Sequence, residues 1–346
     1  MSISIDKLCH FRVVRGLSKV GEDVEITYVG VSEGLVYIEP FIEGCYFDLS
    51  SIVSQGTFEW KDLERFLRST KSELVVMMAP VPTISQFVCK TDVVGVCRIH
   101  QEVDVSRGYD HIKSQISRRE EKRRTQCIAQ GFYYNVSVED RDFYEFYHSM
   151  HLPTMRNRYG DLARSVKETE AYTDLFKKGV LFRVYRTQGW VAGSVSQIDE
   201  SSRILNARLI GVKEGCDIYR TDGSQGFVYQ SIIEWAAHNS SIDCVDFQGC
   251  EPFLTKGTFQ YKKRFGARAV IPKNKFGDWR LLIRVASLSL SARHFLINNP
   301  LLVEDERGGL NAQYCFDATN GPRKDIPYAS EGINGAVYLN LDSLYD

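Results

Sequence analysis

The chain has 346 residues, with 43 Lys and Arg against 44 Asp and Glu, for a formal net charge of −1. Hydrophobic residues make up 43% and charged residues 25%, enough apolar side chain for a sizeable globular core. The neutral balance excludes a generally basic nucleic-acid coat protein and an acidic disordered tail, and it leaves any polyanion to a local basic patch.

The length suggests about two domains. The start, MSISIDKLCHFRVVRG, lacks the basic, apolar and small-residue order of a secretory signal, so no cleaved leader is expected. The longest apolar stretch, residues 74–82, is far short of a bilayer span. Nine scattered cysteines without a CxxC predict a reducing cytoplasm and thiols used as small apolar groups.

In chain order, residues 25–31 and 34–42 run apolar around a Ser32-Glu33-Gly34 turn and predict a hairpin. Residues 60–67 space their apolar side chains on one helix face, 74–79 read as a buried strand, and 93–99 return to apolar extended chain. Residues 110–130 form a charge-rich helix closed by Gly131. Its cluster of Arg118, Arg119, Lys122, Arg123 and Arg124 is offset by Glu120 and Glu121. That pattern reads as a solvated face with Glu–Arg pairs or as a surface for RNA phosphates; the interleaved glutamates and missing aromatics favour the first.

From Gly131 the order becomes regular. A strand (132–138) leads to an amphipathic helix (139–150), a polar loop (151–164) and a second helix (166–178). Strands at 180–185, 190–197 and 203–212 follow, then a helix (227–238), a strand (242–247), a loop with a short helix (253–265) and strands at 268–271 and 279–285. The tail from Ala286 holds one more helix and a Gly/Asn/Pro-rich end. A meander feeding a crossover helix and a parallel partner predicts a mixed α/β sheet.

Three stretches carry a family resemblance: SRREEKRRTQCIAQGF (117–132), GWVAGSVSQIDESSRILNARLIGV (189–212) and CVDFQGCEPFLTKGTFQYKKRFGARAV (244–270). Together they resemble the GNAT acyltransferase superfamily, and within it the Fem-type and Fem-like group that includes the peptidoglycan-bridge aminoacyltransferases. The third stretch is the most specific, with that group's G-x-F-x-[FY]-K-x-x-[FY]-G segment at residues 257–266. The resemblance covers roughly residues 109–285. It implies an α/β fold of two GNAT-like domains, each a mixed twisted sheet flanked by helices. The expected division is a degenerate N-terminal domain at 1–108, a catalytic domain at 109–285 whose residues 109–130 form the linking basic helix, and a C-terminal segment at 286–346 that returns to the first domain.

The implied reaction is N-acyl transfer, in which an amine attacks an activated acyl or aminoacyl group and an amide forms. The donor would be acyl-CoA or aminoacyl-tRNA, and no tightly bound cofactor is needed. The acceptor would be an amine on a small molecule or peptide, with tRNA as a possible partner. The chemistry requires a donor phosphate pocket, a proton acceptor and oxyanion donors.

The donor candidates are Arg220, Gly223, Gln225 and Gly226, in a glycine loop ahead of the 227–238 helix. They resemble the superfamily's [QR]-x-x-G-x-[GA] loop but depart from it at Gln225; a plain turn and N-cap is the competing reading. Lys262 stands where the resemblance puts a lysine near the reaction centre, able to neutralise donor phosphate or oxyanion. Tyr261 can relay a proton or fill the core. Glu251 can act as general base or as a carboxylate at a helix start, and Gln248 lies beside it at a strand end. Arg156, Arg158 and Tyr159, in a loop with Arg164, and Arg208 suit an anionic acceptor or simply solvate their surroundings. His148 and His151 have metal-ligand spacing but no further ligand nearby in sequence, so no metal is expected. The alternative to an enzyme is a catalytically inactive GNAT-like binding or scaffold protein.

Overall fold

The computed structural model describes residues 8–160, 165–187, 189–286 and 289–344. The chain forms two compact units: residues 1–99, 249–260 and 269–346 make the first, and 100–248 with 261–268 make the second. Both are mixed α/β, as the order of elements suggested. No helix among the described residues is long and apolar enough to cross a membrane.

The first unit carries a six-stranded sheet in the order Phe47–Glu59, Leu8–Ser18, Asp23–Gly30, Leu74–Pro80, Trp279–Val285, Val93–Val96. Leu74–Pro80 is parallel to Asp23–Gly30, and Trp279–Val285 is antiparallel to both of its neighbours. A second sheet joins Leu301–Glu304, Leu310–Phe316 and Ile333–Asn340.

Three expectations change here. The second half of the expected hairpin is a helix, Ser32–Tyr46. Leu35, Ile38, Ile42 and Tyr46 recur at three- and four-residue steps and are buried, whereas the intervening apolar Val36 is exposed. Gly34 lets this helix approach the sheet, since a Cβ there would lie 2.4 Å from Met78 Cγ. The polar loop expected after Met150 is largely helical: a π-helical turn, Tyr147–His151, runs into a helix at Leu152–Tyr159. The division of the chain also differs from boundaries at 108 and 285. Strand Trp279–Val285 belongs to the first unit, because an apolar run states that a strand is buried but not which neighbours it pairs with.

We number the elements that position the site, which lie in the second unit or run across its boundaries. These are β1 (Ile99–Asp104), α1 (Tyr109–Gln115), α2 (Arg118–Ala129), β2 (Phe132–Ser137), α3 (Asp140–Phe146), α4 (Leu152–Tyr159), β3 (Gly179–Arg186), β4 (Gly189–Asp199), β5 (Ile204–Val212), α5 (Ser224–Ala237), β6 (Cys244–Cys250), α6 (Gly257–Lys263) and β7 (Arg268–Val270). The expected single basic helix is broken at Ile116 and Ser117. Ile116 is extended, and Ser117 restarts the helix by accepting the Glu120 N–H at 3.4 Å.

The sheet order is β7-β1-β6-β5-β4-β3-β2. Strands β2 to β5 form an antiparallel meander, and α5 then crosses over so that β6 lies parallel to β5. On one face, Phe227, Val228 and Ile232 of α5 share a core with Ile112, Cys127, Val245 and Phe247. On the other, Phe143, Phe146, Met150 and Phe176 pack over Leu181, Val195 and Leu209.

That second layer sits unusually close to the sheet. A Cβ on Gly211 of β5 would stand 2.6 Å from the His151 backbone nitrogen, with no flexible side chain to yield. His151 is buried there beside the Ile210 carbonyl, 3.0 Å from Nδ1, and burial pushes its pKa down. We expect Gly211→Ala to cost about 2–3 kcal/mol in urea unfolding with a native circular-dichroism spectrum. A cost under about 0.5 kcal/mol would contradict this close approach.

Candidate functional site

The site is built where two parallel strands part. β5 and β6 pair only at Ile204–Cys244, Leu205–Val245 and Asn206–Asp246. Beyond these, the β5 register slips against β4 between Ala207 and Leu209, leaving Arg208 on a bulge. On β6, Gln248 takes a left-handed φ of 65°. Non-glycine residues hold that conformation at a cost of about 1–3 kcal/mol unless neighbours fix it.

Alternation along β6 decides which side chains line the gap. Val245 and Phe247 enter the α5 core, so Asp246 lies on the opposite face. There a row of polar side chains crosses the sheet. Asn206 Nδ2 donates to Gln197 Oε1 at 2.9 Å, and Gln248 Nε2 donates to Asn206 Oδ1 at 3.1 Å. The Gln248 backbone N–H donates to Asp246 Oδ1 at 2.6 Å. Asp246 Oδ2 lies 2.7 Å from His100 Nδ1 on β1. From α6, Lys262 Nζ donates to the Gln248 carbonyl at 2.8 Å.

Lys262 is thus not a solvated surface lysine. It is 4% exposed, and its bond to the carbonyl helps hold the left-handed turn. Tyr261 packs against Tyr229 and Phe265, with ring centroids 5.4 and 5.2 Å away, and burial pushes its phenol pKa well up. Burial and Arg264 together lower the pKa of Lys263. Of the sequence candidates, Gln248 and Lys262 come together at the gap. Glu251 falls in the first unit, where Lys256 pairs with it at 3.0 Å.

The glycine loop is covered by α2. Arg123 donates to the Thr221 carbonyl, and a Cβ on Gly223 would meet Cys127 Sγ at 2.7 Å. Arg220 is engaged with Asp217 at 2.6 Å, while Asp222 caps the start of α5 by accepting the Ser224 N–H at 2.8 Å. Gln225 and Gly226 continue the first turn. Beside Gly226 lies the carboxylate of Glu120, with Oε2 3.7 Å from where a Cβ would stand and the Tyr261 hydroxyl 3.3 Å from the same point. Glu120 is fully buried, has Arg264 at 3.7 Å, and its carboxylate has no hydrogen-bond partner among the described residues. A Ser-x-x-Glu pattern ordinarily turns the glutamate back to the cap's own N–H. Here Ser117 gives that N–H to the Arg264 carbonyl, and Glu120 turns inward.

Arg156 and Arg158 are exposed on the last turn of α4, and Arg208 is exposed at the bulge. Tyr159 ends α4 but its side chain lies outside the described part of the structure, and Arg164 lies outside the described residues. His148 pairs with Glu168 at 3.2 Å. A cleft of about 510 Å³ beside Trp190, His148 and Glu214 is lined by none of the site candidates.

Sequence reasoning missed His100, Asn206, Asp246 and the inward turn of Glu120. One signal was available: in Val245-Asp246-Phe247-Gln248 the polar residues alternate with core residues, which puts two polar side chains on one strand face.

No family model matches this chain, and no curated protein matches it. Among solved structures it is similar to L-PGS from Bacillus licheniformis, at 9% identity over 81% of this chain and 86% of that one, with a TM-score of 0.39. It is also similar to FemX, at 10% identity over 75% and 80%, TM-score 0.43. A GCN5-related N-acetyltransferase from Sphaerobacter thermophilus matches at 10% identity over 79% and 80%, TM-score 0.36. At such scores the functional reading has to come from the chain's own residues.

Replacing Lys262 by Met keeps much of the stem's volume but leaves the Gln248 carbonyl without that donor. We expect a loss of about 1–3 kcal/mol in chemical denaturation. An unchanged midpoint would show that the lysine does not secure the turn.

Proposed function

We propose that the second unit is an N-acyltransferase of the GNAT type, moving an acyl or aminoacyl group from an activated ester to an amine. The observation that carries this reading is the three-pair β5–β6 ladder with its polar row along the opening. A meander, a crossover helix and a parallel strand that then diverges leave a gap in the ladder where a reacting carbonyl can enter. Backbone N–H groups around the Arg208 bulge are suited to a developing oxyanion, and the buried Lys262 charge adds positive potential nearby. The resemblance of residues 244–270 to the Fem-type group supports the same reaction.

The donor reading follows from Glu120. The first turn of α5 is the fold's natural anion site, and it already faces a carboxylate of the chain. A diphosphate carrier would have to displace Glu120, Arg123 and Cys127. The basic face of α2, where Arg118, Arg119 and Lys122 are exposed, can instead meet an RNA backbone. We therefore read the donor as an aminoacyl ester carried on tRNA rather than acyl-CoA, with a cytoplasmic reaction and a small-molecule or peptide amine as acceptor. The carboxylate beside that turn also favours a second reading, a GNAT-like fold that binds without catalysing.

Purified protein incubated with charged tRNA, and separately with acyl-CoA, each with a panel of amines, tests this by mass spectrometry of amide products. Amide from charged tRNA is expected, together with no product and no thermal shift from CoA. Product from acyl-CoA would overturn the donor reading. Absence of amide from both donors would overturn the enzyme and leave the binding reading.

A further inference from the structure

Acyl transfer needs a group that takes a proton from the attacking amine, and few groups around the β5–β6 opening remain free for it. Lys262 is donating to the Gln248 carbonyl. Tyr261 is a buried phenol whose pKa moves up, away from a base active at neutral pH. Glu120 is fully buried against α5, and Glu251 belongs to the other unit and is paired with Lys256. Gln197, Asn206 and Gln248 are amides, which hold no basic lone pair.

His100, on β1 at the other edge of β6 from β5, differs from all of these. Its Nδ1 faces Asp246 Oδ2 at 2.7 Å, and the other Asp246 oxygen is fixed by the Gln248 N–H at 2.6 Å. The carboxylate is 8% exposed and the imidazole 15% exposed, so both are largely shielded and the histidine is the less covered of the two. An imidazole whose Nδ1 carries the proton toward a carboxylate presents a lone pair on Nε2, at the far side of the ring. The same carboxylate therefore orients the histidine and the left-handed turn at the mouth of the opening.

Building on the transferase reading above, we infer that His100 is the general base of the reaction and Asp246 its positioning residue. The amine nitrogen bonds to the donor carbonyl carbon as His100 Nε2 takes its proton. The carbon–oxygen bond to the carrier then breaks, and His100 returns that proton to the departing oxygen. Amine and ester become amide and alcohol, with no net proton and no further reactant.

The test uses the full chain and the donor and acceptor that give amide with the native protein. His100→Gln keeps an N–H for Asp246 but has no base, so it should stay folded by thermal melting and lose about 100-fold or more in kcat. His100→Ala should lose as much, and free imidazole in the buffer should recover at least about tenfold of it, which a merely structural role would not give. Asp246→Asn can hold the Gln248 N–H but offers its own N–H to Nδ1, forcing the proton onto Nε2; kcat should fall about 100-fold or more with KM little changed. A folded His100→Gln within about threefold of native kcat overturns the base while leaving the transferase standing. No amide from the native protein with any donor overturns the transferase and the base together.

Discussion

A single carboxylate governs the second unit. Asp246 sits on the short shared ladder of β5 and β6, and its two oxygens face in two directions. One holds the backbone of Gln248 in a left-handed turn that a glutamine would not otherwise favour. The other faces the imidazole of the next strand. Lys262 closes the turn from the opposite side by way of the Gln248 carbonyl. The β5–β6 ladder ends at Asn206–Asp246, two residues before this turn.

The rest of the unit packs closely on both faces of the sheet. Gly193 lets the Phe146 ring, and Gly211 the Met150–His151 backbone, rest almost on the backbone of the sheet. On the other face, α2 lies against the loop ahead of α5, with Glu120 supplying an anion to that helix's first turn. A fully buried carboxylate without hydrogen bonds is costly. The helix dipole and the Arg264 guanidinium at 3.7 Å offset that cost. A motif that in sequence invites a phosphate thus has a carboxylate of the chain beside it, with no hydrogen bond to that carboxylate among the described residues.

Much of this architecture was legible beforehand, because it rests on local patterns. The meander from residue 179 to 212, the α5 crossover and the β6 strand all follow from alternation, helical spacing and turn residues. What could not be read depends on contacts distant in sequence. Residues 34–42 look like a strand until the steps from Leu35 to Tyr46 are weighed against burial. His100 and Asp246 are 146 residues apart, and nothing in either local sequence announces the other. The glycine loop reads as a phosphate loop by its glycines and the helix that follows, but its cover, Cys127 and Arg123, comes from a helix about a hundred residues earlier. Lys262 stands out in sequence through its motif, whereas its bond to Gln248 depends on where α6 comes to rest.

The interrupted course of the first unit has a consequence for how the chain is made. Its large sheet places Trp279–Val285 between Leu74–Pro80 and Val93–Val96, so the two earlier strands have no common neighbour until the later one emerges. At a typical translation rate, the intervening residues take on the order of 10–40 s to appear. During that interval two apolar strands wait with open hydrogen-bonding edges, while every residue of the second unit is synthesised ahead of their missing partner. The unit that begins first is finished last, and the two strands meet their shared partner only once residue 285 has emerged.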